Sequence, residues 1–210
     1  ATIAGGLSNE ATGMEATVGG GAGNLAWAQG ATVDGGRENV ADSDYATVGG
    51  GYRNAARGES SIVGGGEWNS AEGEYATIGG GYWITATGDY ATVAGGKLNS
   101  ADGTQSTVGG GADNHAGYRA TVAGGLTNYA SGSYSTVGGG YDNEATESYA
   151  TVAGGRSNRA RGQFSFAVQT IEITVSLINT HGPEIVNEIA VAAFFVSKPA
   201  VERSKLFFLV

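Results

Sequence analysis

The stretch ATVGGGYRNAARGES at residues 46–60 runs directly into SIVGGGEWNSAEGEY at residues 61–75, and the second copy follows the first place by place. As a motif the pattern is Ala-Thr-Val-Gly-Gly-Gly-x-x-Asn-x-Ala-x-Gly-x-Tyr. Its Thr place falls at residues 2, 17, 32, 47, 62, 77, 92, 107, 121, 136, 151 and 166, so ten of the eleven intervals are 15 residues and one is 14. A period this strict marks coils stacked on one another, because only stacking gives every coil the same surroundings. The expected fold is all-β, a parallel β-solenoid (β-roll or β-helix) of about eleven 15-residue coils over residues 1–167, followed by a short C-terminal cap or junction at 168–210.

Each column of the repeat has a physical role. The Val place is β-branched from Ile3 and Val18 to Val152, and two residues earlier the chain is always Ala or Ser, from Ala1 to Ala150. Side chains two apart on a strand share a face, so these two point inward and the Thr between them points outward. A second Ala, from Ala11 to Ala160, recurs without exception and marks another inward site in a narrow interior. The glycine pairs supply sharp corners that need positive φ or close backbone approach. Asn54, Asn69, Asn99, Asn114, Asn128, Asn143 and Asn158 belong to a corner column broken only by Ile84. Asn tolerates the left-handed region and can pass amide hydrogen bonds from copy to copy, so this column is expected to be a structural ladder.

Composition excludes several classes. Glycine makes up 39 of 210 residues, yet collagen needs it at every third place with abundant Pro, and the two prolines both lie beyond residue 180. A net charge of −9 disfavours nucleic acid or an anionic membrane as a partner for the whole chain. With no Cys there are no disulfides, thiolate metal sites or thiol nucleophiles. The longest apolar run, at 189–196, is far short of the roughly 20 residues of a helical span, so no direct membrane span is expected. The chain starts at Ala1 without an initiating Met or a signal-like segment, which suggests a processed form or a piece of something longer.

Tyr149-Ala150-Thr151-Val152-Ala153-Gly154-Gly155, followed by Asn158, Ala160 and Gly162, resembles the head repeats of trimeric autotransporter adhesins, the YadA-like heads, and related repeats of bacteriophage and viral tail fibres. The resemblance covers residues 1 to about 167. It implies a left-handed parallel β-roll, three chains packed around an axis, display outside a cell or on a virion, and a role in attachment to a host-surface receptor or glycan. Two features depart from the family: the period is 15 where adhesin heads usually show 14, and Gly-Gly-Gly stands where they carry one Gly.

Oligomerisation is also expected on energetic grounds. One Val and two Ala-sized groups per coil are a small apolar gain against the cost of ordering 15 residues, so a neighbouring chain is expected to cover one face. The natural candidate is the Thr column, with Thr47, Thr77, Thr92, Thr107, Thr121, Thr136 and Thr151 among its members and Ile62 and Phe166 as exceptions. Stacked hydroxyls at the strand spacing of roughly 4.8 Å also invite an ice-binding reading. Against it, the place two before Thr runs Glu15, Gly30, Tyr45, Ser60, which is not flat.

No catalytic residue, metal ligand or cofactor is expected. The only histidines, His115 and His181, lack partners at ligand or triad spacing, and His115 reads as a solvated side chain. Runs such as Gly19-Gly20-Gly21 resemble phosphate loops, but their recurrence marks them as structural. Arg156, Arg159 and Arg161 read as a solvated basic corner. A glycan-active β-helix enzyme, the remaining enzymatic reading, would need paired carboxylates in a cleft. The one candidate ligand-binding group is Trp68 and Trp83, one period apart, with Tyr82, in the coil where Ile84 replaces Asn. It suits stacking on a sugar, anchoring a receptor, or packing against another chain. A Tyr column, with Tyr45, Tyr75, Tyr90, Tyr134 and Tyr149 before Phe164, reads as inter-coil or inter-chain packing.

Composition shifts near Gln163: Gly182 is the only later glycine after Gly162, and all six Phe lie at or after Phe164. Alternation from Ile171 to Leu177 predicts a half-buried strand, and the tail is expected to cap the solenoid. It lacks the several ten-residue strands of a membrane barrel.

Overall fold

The computed structural model describes residues 1–168, and within them it is a parallel β-solenoid. The cap at 168–210 and the strand expected at Ile171–Leu177 lie outside the described residues, apart from Val168. Each coil contributes two strands of two residues. One ladder joins twelve of them, from Thr2–Ile3 through Thr17–Val18 to Phe166–Ala167; the other joins eleven, from Glu10–Ala11 to Arg159–Ala160. All pairs are parallel and in register, Thr2 with Thr17 and Ala11 with Ala26. Between the ladders, isolated bridges link the residue after the glycines in each coil to its copy in the next, from Leu7 to Arg156. Among the described residues there is no helix.

The interior is built from four residues per coil. The small residue, the Val, the Asn and the invariant Ala are buried along most of the stack, with Ala16, Val18, Asn24 and Ala26 each 0% exposed. Thr and the residue before the invariant Ala point outward, as alternation on a strand requires. Three interior places hold Ser61, Ser106 and Ser135, whose buried hydroxyls have no hydrogen-bond partner.

Asn occupies a different place from the one its sequence role suggests. It is not the left-handed residue: positive φ belongs to the residue before it, for example Glu38 (55°), Arg53 (53°) and Leu98 (56°). This turn directs Asn into the core, where its side chain joins neighbouring coils. Asn39 Nδ2 donates to Gly35 O at 2.9 Å in its own coil and to Gly51 O at 3.0 Å in the next. Its Oδ1 accepts the Asn54 backbone N–H at 2.9 Å. The buried amide is thereby satisfied on both donors and its acceptor, which is the condition for placing it in an apolar interior.

The second Gly of each pair is fixed by two constraints. At Gly21 φ is 85°, and an added Cβ would meet the Gly36 carbonyl oxygen at 2.0 Å and the Asn24 amide at 2.7 Å. The Asn ladder and the glycine corner are therefore one device.

Two irregularities are absorbed locally. Ile84, fully buried in the Asn slot, has no oxygen for the Asn99 N–H and no donor for Gly80 O, and φ at the adjacent Gly81 widens to 119°. The 14-residue coil loses its residue in the second turn. Gly117 N–H bonds Ala130 O at 2.9 Å and Gly117 O accepts from Ala120 N–H at 3.1 Å, roles divided between Asp102 and Gly103 one coil earlier. Both ladders keep register across it, Thr107 with Thr121 and His115 with Tyr129.

Replacing Asn114 with Ala removes the donors to Gly110 O and Gly125 O and the acceptor of Asn128 N–H. The expected loss is about 3 kcal/mol in urea unfolding, against less than about 0.5 kcal/mol for Thr146→Ala on the surface. Conversely, Ser106→Ala removes an unpaired buried hydroxyl and is expected to raise stability by about 1 kcal/mol in the same assay.

Candidate functional site

The two ladders present outer faces of opposite character. Outside the first, the Thr column carries no charged residue from Thr2 to Phe166, and the next outward place is Gly or Ala except for Asp34 and Val168. Most of these Thr, including Thr47, Thr77, Thr92, Thr121, Thr136 and Thr151, are half-buried, while Thr107 and Ile62 are exposed. No salt bridge lies on this face among the described residues.

Along its edge runs the Tyr column. Tyr75 and Tyr90 stack with centroids 5.0 Å apart, as do Tyr134 and Tyr149, and Tyr149 meets Phe164 at 4.9 Å. Arg119 adds a guanidinium 5.3 Å from the Tyr134 centroid and a hydrogen bond to its hydroxyl. The inter-coil packing expected of this column is present in these pairs. Each of these residues has positive φ, for example 60° at Tyr134, where bulky side chains are disfavoured.

The second ladder's outer face holds most of the ion pairs. Arg57 lies between Asp42 and Glu72 at 4.0 and 3.7 Å. Arg159 holds Glu144 at 2.9 Å and Asp142 at 3.9 Å, and Arg161 reaches Glu144 at 3.4 Å. Arg159 and Arg161 are exposed, as a solvated corner implies, and are ion-paired as well, while Arg156 lies over the Tyr141 ring. Arg159 holds the Glu144 carboxyl below its ordinary range.

His115 also differs from its expected solvated state. It sits half-buried on a strand, and its Nε2 meets Asp102 Oδ2 of the preceding coil at 2.9 Å. Asp102 also accepts from Ser100 and Thr87 at 2.5 and 3.2 Å. The pairing was recoverable from the repeat, because outward places two apart become neighbours on successive coils. Ser, Asp and His are all present, yet the Ser100 hydroxyl bonds the carboxylate and not the imidazole, so this geometry gives the hydroxyl no base. Among the described residues no group of three or more His, Asp or Glu is placed to hold a metal ion.

The third region is the corner between glycines and Asn. Trp68 and Trp83 lie with centroids 6.1 Å apart, Tyr82 is 6.3 Å from Trp83, and Tyr52 meets Trp68 edge-on at 6.0 Å. The structure thus brings together the three aromatics singled out in the sequence and adds Tyr52. Arg53 lies 4.6 Å from the Trp68 centroid and pairs with Glu38 at 2.5 Å, holding that carboxyl below its usual range.

No protein-family model and no curated protein matches the chain.

The His115 hydrogen bond is the main cause that keeps the Asp102 carboxyl below its ordinary value. A carboxylate lowered on folding contributes stability that is present above its unfolded pKa, roughly 3.9, and is lost as pH falls through the folded value. The stability gap between the parent chain and Asp102→Asn is therefore expected to be full near neutral pH and to close in acid, measured as urea midpoints across a pH series.

Proposed function

We propose that the chain is a structural segment of a surface fibre or adhesin, without catalytic activity, assembled as a homotrimer through its Thr face and displayed outside a cell or on a virion. The observation that carries this reading is the asymmetry of the two outer faces. One carries a single charge, Asp34, on a surface built of Thr, Gly and Ala and edged by stacked rings; the other is covered with ion pairs. Depletion of charge with aromatic enrichment is the compositional mark of an interface core. The likeness of the repeat to YadA-like heads supports the same assembly. Eleven coils at a strand spacing of roughly 4.8 Å make a rod of about 50 Å, long enough to hold corner side chains away from an anchoring surface.

Light scattering of the chain is expected to give three times the 21.0 kDa chain mass. Thr136→Arg, which places a cation within the Thr column, is expected to shift the mass to that of the monomer with circular dichroism unchanged. A parent chain that stays monomeric at all concentrations would remove the reading.

A second reading rests on the same face. Thr77, Thr92, Thr107, Thr121, Thr136 and Thr151 stand in unbroken parallel register beside small Gly and Ala places, a surface suited to ordered water if no chain covers it. Thermal hysteresis by a monomeric chain would favour it over the fibre.

A further inference from the structure

Trp68 and Trp83 stand where neither backbone preference nor burial explains them. Their φ values, 58° and 54°, lie in the left-handed region, which bulky residues disfavour and which Gly23 fills without cost in an earlier coil. Both rings are open to solvent, 39% and 52% exposed. Tyr82 is 40% exposed and Leu98, in the next coil, 44%. The rings follow one another on successive coils, so the platform runs along the solenoid axis. Its coil is also the one where Ile84 interrupts the Asn ladder.

The charges around the platform differ in sign from the chain as a whole. On the platform coils and the coil to either side, this corner carries Arg53 and Lys97 against Glu67, one cation more than anion on a chain of net −9, while Arg37, Glu38 and Asp113 lie one coil further out. Arg37 and Arg53 both pair with Glu38. Lys97, its Nζ 5.7 Å from the Tyr82 centroid, has no carboxylate partner among the described residues.

The geometry points to a binding site for a linear acidic glycan along this corner. Pyranose faces stack on Trp68, Trp83 and Tyr82, Glu67 accepts sugar hydroxyls, and Lys97 meets a uronate carboxylate. Aromatic faces with one positioned cation suit such a chain, whose rings are apolar on their faces and anionic at their edge. The corner lies on the turn that leads away from the Thr face, so it stays open when that face is covered. The inference rests on the fibre reading for its role, as the surface the rod presents.

The test is a tryptophan-fluorescence titration of the full chain with hexagalacturonate, with hyaluronan hexasaccharide, and with neutral cellohexaose. Trp27→Phe serves as the background, since Trp27 lies outside the platform. Saturable quenching by at least one uronate, weakened tenfold or more by Trp83→Gly or Trp68→Gly, is the expected result, and Lys97→Gln should abolish the preference over cellohexaose. Gly at these places suits the backbone, so urea midpoints should not fall. No binding to either uronate, or unchanged affinity in Trp83→Gly, would overturn the site. A loss of assembly mass in Trp83→Gly would overturn it too, assigning the platform to a contact between chains. Light scattering on the same samples separates the two readings: uronate binding by a monomeric parent upholds the site and removes the trimer.

Discussion

A carboxamide buried in nearly every coil holds the stack together. Its two N–H groups reach glycine carbonyls in its own coil and the next, and its oxygen receives the backbone of the next Asn. This sets the spacing, since a coil displaced from register would leave all three groups unpaired in an apolar interior. It also dictates the glycine corner, because a Cβ at the second Gly would collide with the Asn amide. The left-handed residue before Asn follows as well, as the turn that swings the amide inward. Regularity in the sequence thus reflects a hydrogen-bond requirement repeated once per coil.

Much of this was legible in the residues. The β-branched column, the small column and the invariant Ala gave the inward face directly, and all three are buried as the alternation implies. The place of Asn was not legible. An Asn beside glycines reads as a turn residue, and nothing in its spacing says that the residue ahead of it carries the turn. The same blindness affected the exterior. His115 has no partner nearby in sequence, but a coil closes the gap to Asp102 and half-buries the imidazole. Contacts across coils are hidden from a linear reading until the repeats are laid one above another.

The aromatic columns show the limits of the period differently. Spacing alone placed Trp68 above Trp83 and Tyr134 above Tyr149, and the rings do meet. It did not reveal that these residues sit in an unfavourable backbone region. That strain is tolerated because the ladders on both sides fix the corner, leaving its outward side chain free of any duty to the fold. Surface identity and core identity are in this way decoupled: four inward places per coil and the constrained glycines maintain the column, and the outward side chains are open to variation.

The 14-residue coil shows where the decoupling is widest. A residue is missing from the turn at Gly117, yet the ladders pass over the gap without a slip. Length can therefore change at this bend without disturbing its neighbours, whereas the opposite bend, bound to the Asn amide, has no such slack. Grafted peptides or tags belong on the permissive side, and a lineage of such chains would collect its insertions and deletions there, writing its history along one edge of the rod.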